Sequence, residues 1–312
     1  MNNLFPSGFN IIEPSLNLET MPIYAQQWNL VFTQMQKGSE NIILDATHTP
    51  NMQLGYTYYP YAIEAKGSFP ANAILLFYTK TASDFTFHHK PIQKYELNLV
   101  DKDIPIDFLS TQQSEIYTIT IEESLFYEAF YNYFGQGLKS FLQTQIFQIK
   151  HSALDDFLQG LTQFIDFIQN RDETQLKQEY QTIENKIFEH IFSSLSIAKT
   201  PKTIDKFDIS KVRDLLQTSL KEDIDIKTIS HKLAISERQL HHAFKLAYGF
   251  TPKQYLQNLR LNAIKNEFLY YPESKVSDVA MKYHFLHMGH FSSEFKKMFG
   301  ETPSAVLKSS KS

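Results

Sequence analysis

Arg238, His241, His242 and Lys245 fall within eight residues of one another, in the run Ser236-Glu237-Arg238-Gln239-Leu240-His241-His242-Ala243-Phe244-Lys245. If this run is a helix, Leu240, Phe244 and Ala247 share its inward stripe, and at about 100° per residue Arg238, His242 and Lys245 lie roughly 140° to 200° from Leu240, with His241 on the flank. A guanidinium so placed can grip guanine through two hydrogen bonds, imidazoles can bond base edges or phosphates, and lysine supplies phosphate charge. A second run, Met288 to Met298, has Phe291, Phe295 and Met298 inward and Gly289, Ser293 and Lys296 outward, with Ser292 beside them and Met288 at the helix start. Taken singly, any one of these side chains is a solvated helix face. Two such runs in one basic segment argue for contact with double-stranded DNA. Catalytic chemistry has less to stand on: the chain has no cysteine, which excludes thiolate metal sites, cysteine nucleophiles and disulfides. His284, His287 and His290 recur at threes without Asp or Cys at ligand spacing, so no metal or cofactor is expected. An enzyme is not the expected reading.

Both runs belong to a repeat. At an offset of 51, Leu240 matches Phe291, Phe244-Lys245 matches Phe295-Lys296, Gly249 matches Gly300, and Thr251-Pro252 matches Thr302-Pro303. Coincidences at one offset imply two copies of a supersecondary unit. Each copy reads as a short helix, a turn and a second helix: about 226–248, with Ile229, Leu233 and Ala234 on the first helix and Ser236 capping the second, and about 276–299, with Val276, Val279 and Ala280 on the first. Glycine suits the left-handed residue past a helix end, and Thr-Pro starts the next helix. Between the copies, 252–271 reads as one connecting helix. Nineteen or so residues at about 1.5 Å each span near 30 Å, close to the roughly 34 Å between successive major grooves on one DNA face.

Charge divides the chain in the same place. Residues 1–204 hold 13 basic and 22 acidic side chains, a net −9, whereas 205–312 hold 17 and 12, a net +5. A basic terminal segment on an acidic body is the electrostatic footprint of a nucleic-acid-binding module. Ser193 to Asp208 is small, polar and broken by Pro201, a linker pattern. The expected division is a regulatory and dimerisation domain over 1–195, a linker over 196–208 and a DNA-binding domain over 209–312.

Upstream, strand candidates recur at Asn41–Ala46, Met52–Tyr59, Ala73–Tyr78, Asp84–His88, Lys94–Val100 and Ile116–Ile121, with turn formers between them, which suggests an antiparallel sandwich or barrel. Two amphipathic helices follow, one through Leu154, Phe157, Leu158, Leu161, Ile165 and Ile168, the other through Leu176, Tyr180, Ile183, Ile187, Ile191 and Leu195. Asn170-Arg171-Asp172 joins them as a hairpin that packs on the sheet, forms a dimer seam, or does both. The fold class is therefore α+β, followed by an all-α carboxy-terminal domain. A barrel rich in Tyr and Phe has room for a small-molecule effector, although Phe69, Phe77, Tyr78, Phe85 and Phe87 read better as core than as a binding box. His88 and His89, as strand neighbours, point to opposite faces and do not share a metal. Met1 to Ile12 lacks a basic start and an apolar run, and the longest apolar stretches are about six residues where a membrane helix needs roughly 20. A cytoplasmic location without membrane contact is expected.

The carboxy-terminal residues carry a resemblance. Ile235-Ser236-Glu237-Arg238-Gln239-Leu240, Gly249-Phe250-Thr251-Pro252, Arg260-Leu261, Val276-Ser277-Asp278-Val279-Ala280 and Phe291-Ser292-Ser293-Glu294-Phe295 through Thr302-Pro303 resemble the DNA-binding domain of the AraC/XylS family of bacterial transcription regulators. Phe285-Leu286-His287-Met288-Gly289-His290-Phe291 further resembles the branch with the ethanolamine-utilisation regulator. The resemblance implies a cupin-like amino-terminal domain that senses an effector or mediates homodimerisation, and activation through RNA polymerase. It places Arg238, His241, His242 and Lys245 in one groove and Met288, Ser292, Ser293 and Lys296 in the next. His284 stands where the family usually has glycine, in a turn that often needs positive φ. An effector-independent DNA binder and a metal-dependent cupin enzyme with a DNA-binding tail are the alternatives.

Overall fold

In the computed structural model, which describes residues 4–5, 10–24, 27–80, 85–93, 95–102, 104–138, 141, 145–199 and 209–310, the amino-terminal part is built from antiparallel strands and the carboxy-terminal part is all helix. The strands are β1 (Asn10–Leu16), β2 (Asn29–Gln34), β3 (Ile42–His48), β4 (Met52–Tyr59), β5 (Ile63–Ser68), β6 (Ala73–Thr79), β7 (Thr86–Phe87), β8 (Lys90–Pro91), β9 (Asn98–Val100), β10 (Ile106–Leu109), β11 (Ser114–Glu122), β12 (Gln145–Ile149) and β13 (Leu195–Lys199). Six of them form one sheet in the order β1-β3-β4-β11-β6-β9, and five form a second in the order β2-β5-β10-β7-β8. Helix α1 (Met21–Tyr24) joins β1 to β2; α2 (Glu123–Phe134), α3 (Leu154–Gln169) and α4 (Glu173–Ser194) complete the amino-terminal domain.

Strand alternation explains the layers. On β6 every residue is buried. Ile74, Leu76 and Tyr78 face a core shared with α2, α3 and α4, while Leu75 and Phe77 face a second core between the two sheets. A strand covered on both sides reads as a continuous apolar run, which is why Ala73–Thr79 shows no polar alternation. The hairpin of α3 and α4 buries Phe157, Leu161, Ile165, Ile183, Ile187 and Ile191 against the six-stranded sheet, with Asp172 capping α4 through Gln175 N at 2.9 Å. Phe69, Phe77, Phe85 and Phe87 pack between the sheets, and Tyr78 lies on the helix side.

Three readings of the sequence are corrected. Residues 196–199, expected to begin the linker, belong to strand β13 (Leu195–Lys199), which pairs antiparallel with β12; residues 200–208 lie outside the described ones. His88 and His89 are not strand neighbours. They form the two-residue turn between β7 and β8, with φ of 46° and 63°, the left-handed pair that a hairpin of this length requires. Lys66-Gly67-Ser68, one of the turn formers between the strand candidates, belongs to β5, where Gly67 at φ 145° lets the Asn29 backbone approach so closely that a Cβ would meet its carbonyl oxygen at 1.8 Å.

The helical domain comprises α5 (Ser210–Thr218), α6 (Ile226–Lys232), α7 (Glu237–Tyr248), α8 (Pro252–Tyr270), α9 (Val276–Lys282), α10 (Met288–Phe299) and α11 (Pro303–Ser309). It has two apolar cores. One gathers α5, α6, α7 and the first half of α8; the other gathers the second half of α8 with α9, α10 and α11. No helix among the described residues is long and apolar enough to cross a membrane.

Candidate nucleic-acid interface

Helix α7 is held at both ends by local chemistry. Ser236 Oγ accepts from Gln239 N at 3.2 Å while Gln239 Oε1 accepts from Ser236 N at 2.9 Å, a reciprocal capping box. Gly249 ends the helix at φ 73°. Leu240 and Phe244 are fully buried, so the opposite stripe must face out: Arg238, His242 and Lys245 are exposed and His241 is half-buried. Helix α10 repeats this geometry with Phe291 and Phe295 fully buried, Gly300 at φ 79°, Ser293 and Lys296 exposed, and Met288 and Ser292 half-buried. Its N-cap, His287, makes no side-chain cap bond. Among the described residues, Arg238, His242, Lys245, Ser293 and Lys296 make no side-chain hydrogen bond or ion pair. Both outward faces are therefore open to an external partner.

The turns differ in a way the single offset of 51 hides. Helices α6 and α9 are related by 50 residues, α7 and α10 by 51, so the second turn is one residue longer. Ala234, expected on the first short helix, sits instead in the turn at φ 53°, one residue after the Leu233 cap. His284 occupies the corresponding place at φ 65°. Left-handed backbone costs a non-glycine residue on the order of 1 kcal/mol; the bond between His284 Nε2 and Lys221 O at 2.8 Å offsets part of it. Between the two units runs a cleft of about 640 Å³ whose walls include His241, Lys253, His284, His287 and His290. Arg260 is spoken for, donating to Leu220 O at 2.9 Å and Glu222 O at 2.6 Å. No three His, Asp or Glu among the described residues come together to hold a metal ion.

The domain is docked on the outer face of the five-stranded sheet. Arg213 of α5, only 1% exposed, donates to Asp107 Oδ1 at 2.5 Å and Oδ2 at 3.0 Å, to Tyr255 Oη at 3.0 Å, to His89 Nδ1 at 2.7 Å and to Glu64 Oε1 at 2.9 Å. Tyr255 and Gln217 add donors to Glu64, at 2.6 Å and 3.1 Å. Burial, then the Arg213 charge, pulls the His89 imidazole below its ordinary pKa, which suits a neutral ring accepting at Nδ1. Beside this cluster Asn262 and Asn258 of α8 cover the edge of β2: Gln34 N donates to Asn262 Oδ1 at 3.1 Å, Asn262 Nδ2 to Gln34 O at 2.7 Å, and Asn258 Nδ2 to Met35 O at 2.6 Å. Met35, Ala62 and Leu109 enter the first helical core itself. The far end of α10 is tied as well, since Met298 O accepts from Gln34 Nε2 at 2.7 Å and Gly38 N at 3.3 Å.

Inside the sandwich lies an apolar cavity of about 80 Å³, lined by Met21, Tyr24, Trp28, Leu30, Phe32, Ala46, Tyr59 and Phe108. Trp28 Nε1 donates to Gln53 Oε1 at 2.8 Å at one wall, and Gln53 Nε2 in turn meets His48 Nε2 at 3.2 Å.

Residues 229–309 match the family model described as a helix-turn-helix domain. The chain is 25% identical over 224 residues to the XylDLEGF operon transcriptional activator 3 of Pseudomonas putida, covering 68% of this chain and 65% of that protein. It is 33% identical over 90 residues to the HTH-type transcriptional activator RhaS of Yersinia pestis, covering 29% and 33%. The helical domain is similar to that of AraC/XylS-type regulators. The chain spans about half to two thirds of the length of the first curated relatives it matches. Among solved structures, ToxT from Vibrio cholerae aligns over 91% of this chain and 98% of its own at 14% identity, with a TM-score of 0.30. The family match begins within α6, so α5 and its Arg213 lie ahead of it. The docking cluster of this helical domain went unforeseen in the sequence, as did the part that His89, Glu64 and Asp107 play in it.

Proposed function

We propose that the protein is a sequence-specific DNA-binding transcription regulator that reads two adjacent major grooves and activates through contact with RNA polymerase. The observation that carries this reading is the pair of helices α7 and α10, each closed by a left-handed glycine, with open outward faces on one connecting helix. Arg238, His241, His242 and Lys245 read the first groove, with Met288, Ser292, Ser293 and Lys296 approaching the next. The residues ahead of this head form a sensing domain, and the cavity between the sheets is the site for a small apolar effector. Homodimerisation through the α3–α4 hairpin would set two heads on one operator. The run Phe285 to Phe291 supports a place near the branch with the ethanolamine-utilisation regulator, and the protein acts where the chromosome is, in the cytoplasm.

Gel-shift titration and footprinting on the promoter of its own operon test the reading. Arg238→Ala should lose about 1–3 kcal/mol concentrated at one base pair. Uniform weakening over all sequences would make Arg238 a phosphate contact instead, and absence of duplex affinity at low ionic strength would end the proposal.

A further inference from the structure

The cleft between the two helix-turn-helix units gathers four imidazoles. His241 comes from α7, His284 and His287 from the turn ahead of α10, and His290 from α10 itself. At about 100° per residue, His241 stands to one side of the buried Leu240 and His290 to the other side of the buried Phe291. The two helices thus turn opposite flanks to the cleft, each flank lying beside its helix's outward stripe. Leu256 and Gln257 of α8 line it between them. A duplex that offers successive major grooves to α7 and α10 carries the backbone of the intervening minor groove past this cleft. Among the described residues, His241, His287 and His290 make no side-chain hydrogen bond or ion pair, so their ring nitrogens are open to a phosphate oxygen. His284 donates through Nε2 to Lys221 O at 2.8 Å, a bond that both the neutral and the protonated ring can make.

Charge decides how the cleft meets that backbone. Asp223 and Asp225, from the segment ahead of α6, and Glu237 of α7 supply three negative charges, while Lys253 and Arg260 of α8 supply two positive ones. The lining is therefore net −1 with neutral imidazoles and +3 with all four protonated. Tyr283 stays out of the count, because burial and its bond to Glu267 push the phenol up to about 12. Just beyond the lining, Lys245 follows His241 by one turn and Glu294 follows His290 by one turn. Lys221 and Lys282 lie around the Tyr283 ring, with Lys282 paired to Glu267. Imidazole is the side chain that ordinarily changes charge between about pH 5 and 8. We propose that the cleft is a proton-gated seat for the phosphodiester backbone between the two grooves. With its imidazoles neutral it repels the strand; protonated, it holds it, so binding takes up protons and tightens as the pH falls. The proposal rests on the reading of α7 and α10 as groove-reading helices.

Proton uptake can be read on the full-length chain without any variant. Calorimetric titration with a duplex carrying the promoter of its own operon, at about pH 7 in buffers of different ionisation enthalpy, should show about one proton taken up per chain. No uptake, or release, would overturn the proposal. Affinity should correspondingly rise roughly tenfold per unit as the pH is lowered from about 8 to 6. The slope of log affinity against log salt should steepen over the same range by about 0.9 for each imidazole that comes to neutralise a phosphate. His287 and His290 are exposed, and the paired variant His287→Gln with His290→Gln should remove about half of the pH slope. His287→Arg with His290→Arg, charged throughout, should flatten the slope as much while binding roughly tenfold tighter than wild type at about pH 8. A loss in the Gln pair that is equal at every pH would make these rings packing groups and overturn the proposal. So would His242→Gln flattening the slope in place of the pair, since that puts the proton on the outward stripe of α7. The two readings separate cleanly: no duplex affinity at low ionic strength at any pH sinks the regulator, whereas affinity indifferent to pH sinks the proton-gated cleft alone.

Discussion

Replacing His48 by Gln removes the most strongly perturbed imidazole in the protein. His48 ends β3 and is 5% exposed, its ring 4.8 Å from that of Phe5, and Gln53 Nε2 donates toward its Nε2 at 3.2 Å. An amide donor there requires an unprotonated ring nitrogen, and burial pushes the imidazole down to about 4 from 6.5. The sign follows from which state takes the proton. Below pH 6.5 the unfolded chain protonates His48 and the folded chain does not, so stability falls as the pH drops, until the folded imidazole also titrates near 4. Above 6.5 the ring is neutral in both states and contributes no slope. At about 1.4 kcal/mol per pH unit, the interval amounts to roughly 3 kcal/mol. Buried carboxylates act in the other direction: burial raises Asp45, Glu96 and Glu184, and these groups regain stability as they protonate in the fold. The measurement that isolates His48 is therefore a difference. Urea unfolding of wild type and His48→Gln at several pH values between 7 and 4 should show wild type losing ground on the variant by about 3 kcal/mol. Parallel profiles, within about 1 kcal/mol, would refute the claim that this ring is held neutral by burial. The stakes reach the cavity, because Gln53 also accepts from Trp28, and a charged His48 would pull that pair apart.

Arg213→Ala should cost about 3 kcal/mol, the lower part of the range for breaking a buried ion pair, because Glu64 keeps Tyr255 and Gln217 as donors; Arg213→Met together with Glu64→Gln and Asp107→Asn should recover much of it, and a urea midpoint unmoved by Arg213→Ala would contradict the buried network. Lys245→Ala should lower the slope of log affinity against log salt by about 0.9, the loss of one phosphate contact, and an unchanged slope would take Lys245 off the contact surface. Gly160→Ala should destabilise the amino-terminal domain by about 1–3 kcal/mol, since a Cβ there meets the His190 ring at 2.2 Å and that ring is pinned by Phe157 O at 3.0 Å; a thermal midpoint equal to wild type would show that the ring moves aside.

The two outward-facing helices were legible because their signals are local. Ser236, Gly249 and Thr251-Pro252, with the repeat of the last two as Gly300 and Thr302-Pro303, mark helix ends within a few residues, and Leu240 and Phe291 orient the outward faces without any tertiary knowledge. The sheet that carries the domain was not legible, for the opposite reason. Strand β10 has only four residues, and Lys66-Gly67-Ser68 on β5 has turn composition although it pairs with Val31, Leu30 and Asn29 of β2. With those strands unseen, Glu64 and Asp107 had no place, and Arg213 resembled any cation on a basic domain. A faint signal existed: Arg213 stands three residues before Leu216, on the same side of α5 as an inward-facing residue, where a solvated side chain does not belong. His89 was lost to a wrong period, since two left-handed residues closing a hairpin look like alternation until the φ angles are known.

Helix α8 belongs to both apolar cores of the domain, Leu256 and Leu259 to the first, Ile264 and Phe268 to the second. Neither reading unit can slide or swivel without tearing one of those cores away from the rod they share. If the two units read DNA as proposed, this makes the gap between the two recognised segments as much a part of the code as the bases: one inserted base pair rotates the second segment by roughly 35°, and a protein with no joint between its units has no way to follow it.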